Sequence, residues 1–304
     1  MIKDTLFICG NGLDLAHSLK TSYSDFQNYC HISRNSFYEN ISSTLKLNTN
    51  ENSIDNLWAA LEKSIGEISP EELFTKSTEH QSLYDYKEIK RTKNGDEIIP
   101  HEKTELTQIQ ASGYMRVLQQ LEIELKEYLS NQIDYDKAGC ISDISKILHS
   151  TSKVITFNYT ETLENLYKIQ KEDILHIHGN VHDNKIIIGH GNKEYYSPKT
   201  VVRKSDPPLN TVKNLHLLYL TKMFKNTKAI YQKHKDFFNN ISGIKQIIIF
   251  GHSLAEVDDY YFRMIKKQFP DADWEIYTHN EKDKASAMLF KERIVFAEGT
   301  YKLI

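Results

Sequence analysis

The sequence predicts an α/β protein: a Rossmann-like, doubly wound, mostly parallel sheet carrying a large helical insertion. Three observations support this. Short apolar runs with few charges recur along the chain, and such runs suit strands buried on both faces of a parallel sheet. Helical patterns separate several of these runs, which is the alternation that defines the α/β class. The first run ends in Gly10-Asn11-Gly12 and turns directly into a helical pattern, as a strand does where a backbone must approach a phosphate.

In chain order, strands are expected at Leu6 to Cys9, Lys153 to Phe157, Ile174 to Ile177, Lys185 to Ile188, Gln246 to Phe250 and Trp274 to Thr278. Residues 1–32 and 151–304 would form the core, and 33–150 the insertion. Within the insertion, "SIDNLWAALEKSIGEI" and "QASGYMRVLQQLEIELKEYLSNQI" carry apolar residues at three- and four-residue spacing, the second pattern starting near Thr104. Between them, Asn94-Gly95 flanked by extended segments is a hairpin signal near 87–100. Lys193 to Asn210, with Pro198, Pro207 and Pro208, is an irregular stretch suited to a lid, followed by a helical pattern from Val212 to Phe238. Helical insertions often assemble, so a homo-oligomer is expected.

Composition narrows the function classes. The chain has 304 residues, 39% of them hydrophobic and 26% charged, with a net charge of -3, so it advertises no polyelectrolyte partner. Nucleic acid is not indicated: there are 18 tyrosines, paired at Tyr195-Tyr196 and Tyr260-Tyr261, but no basic stripe to follow a backbone. Apolar runs such as Ile247 to Phe250 stay far below the roughly 20 residues of a membrane helix. With no secretory pattern at the N-terminus, a cytoplasmic location is expected. The three cysteines, Cys9, Cys30 and Cys140, are widely spaced and read as reduced thiols.

Polar clusters stand at four expected strand ends. The first holds Gly10, Asn11 and Gly12 with Asp14 and His17 behind them. "VITFNYTETLE" presents Asn158, Tyr159 and Thr160; "ILHIHGN" presents His176, His178, Gly179 and Asn180; "IIIFGHSLAEVD" presents Gly251, His252, Ser253 and Asp258. Ligands bind at the carboxyl ends of strands in open α/β sheets, so these segments can converge on one crevice. His176, His178, His182 and His190 raise the question of a metal, but a zinc site would also want a cysteine or a carboxylate such as Asp183, and none is expected. "GHSLA" lacks the G-x-S-x-G elbow of a serine nucleophile.

The same four stretches, "GNGLDLAHSLKTSYSDF", "ITFNYTETLE", "HIHGN" and "FGHSLAEVDDYYF", resemble in order the motif series of the bacteriophage abortive-infection AbiH family. That family is in turn similar to sirtuin-like NAD-binding proteins of phage defence. The resemblance implies a phage-defence protein that binds NAD or a related nucleotide and hydrolyses its nicotinamide-ribose bond when a phage-derived or host trigger is sensed. It implies Gly10 and Gly12 at the phosphates, Asn158 beside the nicotinamide ribose, His178 before Gly179 as the base, and Asn11, Thr156 and Gly179 among the cofactor-binding residues. Gly251, His252 and Ser253 would contact the cofactor from the last strand end. Three departures stand beside it: Thr160 occupies the position of the sirtuin-like Asp, the first turn reads G-N-G, and no cysteine quartet exists. Lysine deacylation is therefore not implied.

The chemistry fits these residue types. Cleavage at the nicotinamide ribose passes through an oxocarbenium-like state and needs a carboxylate or amide near the ribose and a base for water. Asn158 suits the ribose, a histidine such as His178 titrates near neutral pH, and Asp14 with His17 would lie on the ribose side. A pocket without chemistry, a nucleotide sensor or interaction module, is the alternative.

Overall fold

A computed structural model describes residues 4–46, 53–68, 90–91, 97–98, 101–193, 220–296 and 301–304. The chain divides into two compact units, one made of 1–22, 125–187 and 226–304, the other of 23–124 and 188–225. Periodicity placed the helical insertion at 33–150; the compact unit that contains its first helices also takes in 188–225.

The first unit is a mixed α/β fold around a parallel sheet. Its strands are β1 (Thr5–Cys9), β4 (Thr151–Thr156), β5 (Ile174–His176), β6 (Gln246–Phe250), β7 (Asp273–Tyr277) and β8 (Tyr301–Leu303); two further strands belong to the second unit. They form a six-stranded sheet in the order β5-β4-β1-β6-β7-β8, and every pairing in it is parallel. The central strand β1 is buried at all five residues.

Alternation along the strands explains why both faces are apolar. Leu6, Ile8, Ile155, Ile247 and Ile249 point into one core, where Ile230, Phe238, Phe262, Ile265 and Phe290 of four later helices cover them. Phe7, Cys9, Val154 and Ile248 point the other way, onto Leu13, Ile144, Leu148 and Leu163 of the helices Gly12–Ala16, Ser142–Ser150 and Thr162–Tyr167. Helices on both faces leave the carboxyl ends of the strands as the place where loops gather.

Two expected features take another form. Lys185 to Ile188 form no strand: the Ile187 N–H donates to the His178 carbonyl at 2.8 Å, and the Ile187 carbonyl accepts from the Tyr159 hydroxyl at 2.8 Å. These bonds fix an irregular segment where the apolar run "KIII" read as a ladder. The helical pattern ending at Phe238 is broken, with Asn226 accepting from the Ala229 N–H at 3.0 Å and so capping a new helix, Thr227–Lys233.

The second unit is mainly helical in its described part. The helices Tyr23–Ser33, Asn35–Leu45, Ile54–Ala59 and Leu61–Gly66 bury Phe26, Ile41, Leu57 and Trp58 completely. The Trp58 indole N–H donates to Ser42 at 3.0 Å, so the largest core side chain has its polar atom satisfied. The two short strands β2 (Lys90–Arg91) and β3 (Glu97–Ile98) pair antiparallel, Lys90 opposite Ile98. The Asn94-Gly95 turn and the proline-containing stretch 194–210 lie outside the described residues.

Candidate functional site

At the end of β1 the chain turns through Gly10, Asn11 and Gly12, and this turn packs on the end of β6. The Gly10 N–H donates to the Phe250 carbonyl at 3.2 Å and the Gly12 N–H to the Gly251 carbonyl at 2.8 Å. There is no room for side chains: a Cβ on Gly10 would stand 2.9 Å from His252 Cα, and one on Gly251 would stand 2.6 Å from Gly12 Cα. Gly251 also has φ +62°, a left-handed conformation that favours glycine. The glycine requirement at this turn therefore comes from the contact of two backbones, and the N–H groups of Gly10 and Gly12 are both engaged within the protein. Asn11 accepts from the Thr21 hydroxyl at 2.7 Å.

One helical turn further on, Asp14 is completely buried. Its Oδ2 accepts from the Thr160 hydroxyl at 2.6 Å and its Oδ1 from the Thr162 hydroxyl at 2.6 Å. Burial pushes the Asp14 carboxyl above the usual carboxylate range, opposed by the two threonines, by the Asn158 amide and by His17. Asn158 is thus close enough to favour the charged carboxylate, yet short of hydrogen-bond geometry. Neither its amide nitrogen nor its amide oxygen has a partner, although the residue is only 6% exposed. A buried amide with both polar atoms unsatisfied is costly unless something else bonds it.

The main chain around Asn158 is firmly held. Its N–H donates to the buried Thr156 hydroxyl at 3.1 Å, and its carbonyl lies 2.9 Å from His176 Nδ1. The Glu161 N–H, just before the helix Thr162–Tyr167, donates to the Tyr135 hydroxyl at 2.9 Å. Burial pushes that phenol up to about 12, so it stays neutral.

The histidines separate. His17 caps the first helix with Nδ1 2.6 Å from the Leu13 carbonyl and Nε2 2.7 Å from the Tyr167 hydroxyl, whose oxygen accepts from the Ile141 N–H at 3.1 Å. Both ring nitrogens are committed. His178 lies edge-on to Phe157, ring centroids 5.3 Å apart, with Nε2 3.4 Å from the Tyr261 hydroxyl. Alternation put His176 and His178 on one face, but β5 ends at His176 and the chain turns, the Gly179 N–H donating to the His176 carbonyl at 3.0 Å. His176 meets Glu164, and His178 joins the aromatic side of the sheet. Gly179 adopts φ +82° at that turn.

On the last strand end, His252 stacks edge-on to Phe157 at 4.2 Å. Its Nδ1 accepts from the Leu254 N–H at 2.9 Å, which in the neutral ring leaves the proton on Nε2, 3.6 Å from Asp258 Oδ2. Ser253 is exposed. Arg293 pins this loop by donating to both oxygens of Asp259 and to the Leu254 carbonyl.

The structure therefore brings Asp14, Asn158, Thr156 and Thr160 together and adds Thr162, whose buried hydroxyl the sequence did not single out. A family model described as "Bacteriophage abortive infection AbiH" matches residues 6–278, nearly the whole chain and all of these strand ends. The chain belongs to the AbiH family. No curated protein and no solved structure matches it. Among the described residues no group of three or more His, Cys, Asp or Glu side chains is set to hold a metal ion, and no helix is long and apolar enough to cross a membrane.

Proposed function

We propose that this AbiH-family chain is a phage-defence protein that binds NAD or a related adenine nucleotide, with the ribose next to the nicotinamide seated against Asn158. The single observation carrying the reading is the Asn158 amide, buried yet unpartnered at both polar atoms. A ribose hydroxyl both donates and accepts, so two neighbouring hydroxyls satisfy an amide N–H and an amide oxygen together. Asp14 beside it supplies a fixed acceptor whose two threonine bonds orient it.

The strand order supports the architecture expected for such a site. Renumbered within the sheet, β5-β4-β1-β6-β7-β8 reads 3-2-1-4-5-6, the order of a doubly wound Rossmann sheet, whose direction reverses between β1 and β6. Ligands of such sheets bind outside the carboxyl ends at that reversal, where Gly12 and Gly251 meet. Because the two glycine turns close on each other, the phosphates would lie over them, with the exposed Ser253 at their edge.

In the hydrolytic form of the reading, Asp14 and Asn158 stabilise the positive charge developing at the ribose, and His178 accepts the proton of the entering water. The sensor form keeps the pocket and omits the chemistry. One observation favours it: both Asp14 oxygens are occupied by threonine hydroxyls and burial disfavours the charge, which weakens the carboxylate as an electrostatic partner.

Incubating the purified chain and its Asn158→Ala and His178→Ala variants with NAD, with nicotinamide followed by chromatography, tests the reading. Release by the parent and its loss in both variants supports hydrolysis. Silence with calorimetric NAD binding supports the sensor, and silence without binding overturns both.

A further inference from the structure

A second ionisable pair stands against the main chain of Asn158, and the nucleotide reading makes no use of it. His176 ends β5, and its side chain is 9% exposed, against 11% for that of Glu164. Its Nδ1 lies 2.9 Å from the Asn158 carbonyl oxygen and its Nε2 2.9 Å from Glu164 Oε1. A carbonyl oxygen and an ionised carboxylate only accept. Both ring nitrogens must then donate, and an imidazole that donates twice is an imidazolium. A neutral ring would set a lone pair against one of the two oxygens.

The surroundings agree with a charged ring. Glu164 Oε2 is buried with no partner, so neutral His176 would leave the carboxylate uncompensated, which is expensive in a dry interior. Burial by itself favours the neutral ring, but the Glu164 carboxylate, the Asn158 carbonyl and the more distant Glu161 outweigh it and raise the histidine above its usual range. Glu161 is paired elsewhere, with Lys171 at 3.3 Å and His182 at 3.1 Å. From β1 the Cys9 thiol is pushed up to about 12 by burial, with smaller contributions from Asp14 and Glu164, and carries no charge.

We propose that His176 is a positioning residue: as an imidazolium it grips the Asn158 carbonyl, fixes the unpartnered amide, and makes occupation of the site depend on one proton. The consequence for binding rests on the nucleotide reading, whereas the brace does not. A histidine raised on folding contributes stability that is complete below the unfolded value of about 6.5 and is lost as pH rises through the folded value. Affinity for a ligand held by Asn158 should fall over the same interval.

The test uses the full chain labelled with 15N, with ring-nitrogen and side-chain amide spectra recorded from about pH 6 to about pH 9. His176 should keep the imidazolium pattern above about pH 6.5, and the Asn158 amide resonances should move with the same midpoint. Glu164→Gln should lower that midpoint by about 1 pH unit or more. Calorimetric affinity for ADP-ribose should decline with it. A neutral His176 ring at pH 6.5 in the parent chain, which needs no variant, overturns the proposal, as does an Asn158 amide indifferent to the titration. Coupled titration of His176 and Asn158 with no ADP-ribose binding at any pH supports the brace and overturns the nucleotide reading.

Discussion

The close approach of the two glycine turns can be measured with three alanine substitutions that separate strain from crowding. Gly243 has φ +69° and open space around it, so Gly243→Ala meets the left-handed penalty alone, about 1–2 kcal/mol. Gly12 begins a helix, and a Cβ there meets Gly251 Cα and, at 2.8 Å, the Gly251 carbonyl oxygen. Gly12→Ala thus meets the crowding without the left-handed strain. Gly251→Ala meets both, with φ +62° and a Cβ 2.6 Å from Gly12 Cα and 2.7 Å from the Leu13 nitrogen. Ordinary carbon contacts are about 3.5–4 Å, so the turns must part by about 1 Å. Overpacking of this kind costs about 1–3 kcal/mol, and parting also stretches the 2.8 Å bond from the Gly12 N–H to the Gly251 carbonyl, worth about 1 kcal/mol. Gly251→Ala should therefore lose about 3–6 kcal/mol and exceed Gly243→Ala by about 2 kcal/mol or more. Urea unfolding followed by far-ultraviolet circular dichroism reads the difference as a shift in midpoint at constant slope. Values for Gly251→Ala and Gly243→Ala within about 0.5 kcal/mol of each other would refute a contact between β1 and β6 as close as described.

Three further outcomes follow from the buried polar groups. Thr160→Val and Thr162→Val each remove a hydroxyl bonded to Asp14, and each should cost about 1.5–3 kcal/mol in urea unfolding; losses below about 0.5 kcal/mol would mean the carboxylate does not depend on them. Asp14 has a raised folded value, so the unfolded chain binds fewer protons there. The stability attached to its proton is complete below the ordinary carboxylate range and is lost as pH rises through the folded value. Asp14→Asn should accordingly remove a component of the unfolding free energy that falls from acid toward neutral pH, and unchanged pH dependence would contradict the buried, raised carboxyl. Tyr167→Phe deletes the hydroxyl shared by His17 and the Ile141 N–H and should cost about 1–2 kcal/mol while leaving NAD affinity unchanged; a matching loss of affinity would place His17 in the ligand's surroundings.

Much of the sheet was legible because its strands are continuous apolar runs with glycine or polar residues at their carboxyl ends. β8 was not, since Tyr301–Leu303 is three residues with Lys302 in the middle, and only pairing to β7 makes it a strand. "KIII" at Lys185 to Ile188 shows the converse: apolar composition whose Ile187 backbone bonds to the His178 carbonyl and the Tyr159 hydroxyl instead of to a neighbouring strand. In the candidate site, Asp14 and Asn158 were legible as polar residues placed next to strand ends. The bonds of Thr160 and Thr162 to Asp14 were not, because threonines at the start of a helix ordinarily read as caps, and these bonds span 146 and 148 residues. The separation of His176 from His178 was hidden for a similar reason. Alternation holds only while the strand continues, and β5 stops at His176.

The most direct test of the account is a crystal structure of the chain with ADP-ribose. The account predicts ribose hydroxyls within hydrogen-bond distance of both amide atoms of Asn158, beside Asp14. A nucleotide bound elsewhere, or an Asn158 amide satisfied only by water with ADP-ribose present at saturation, would contradict it.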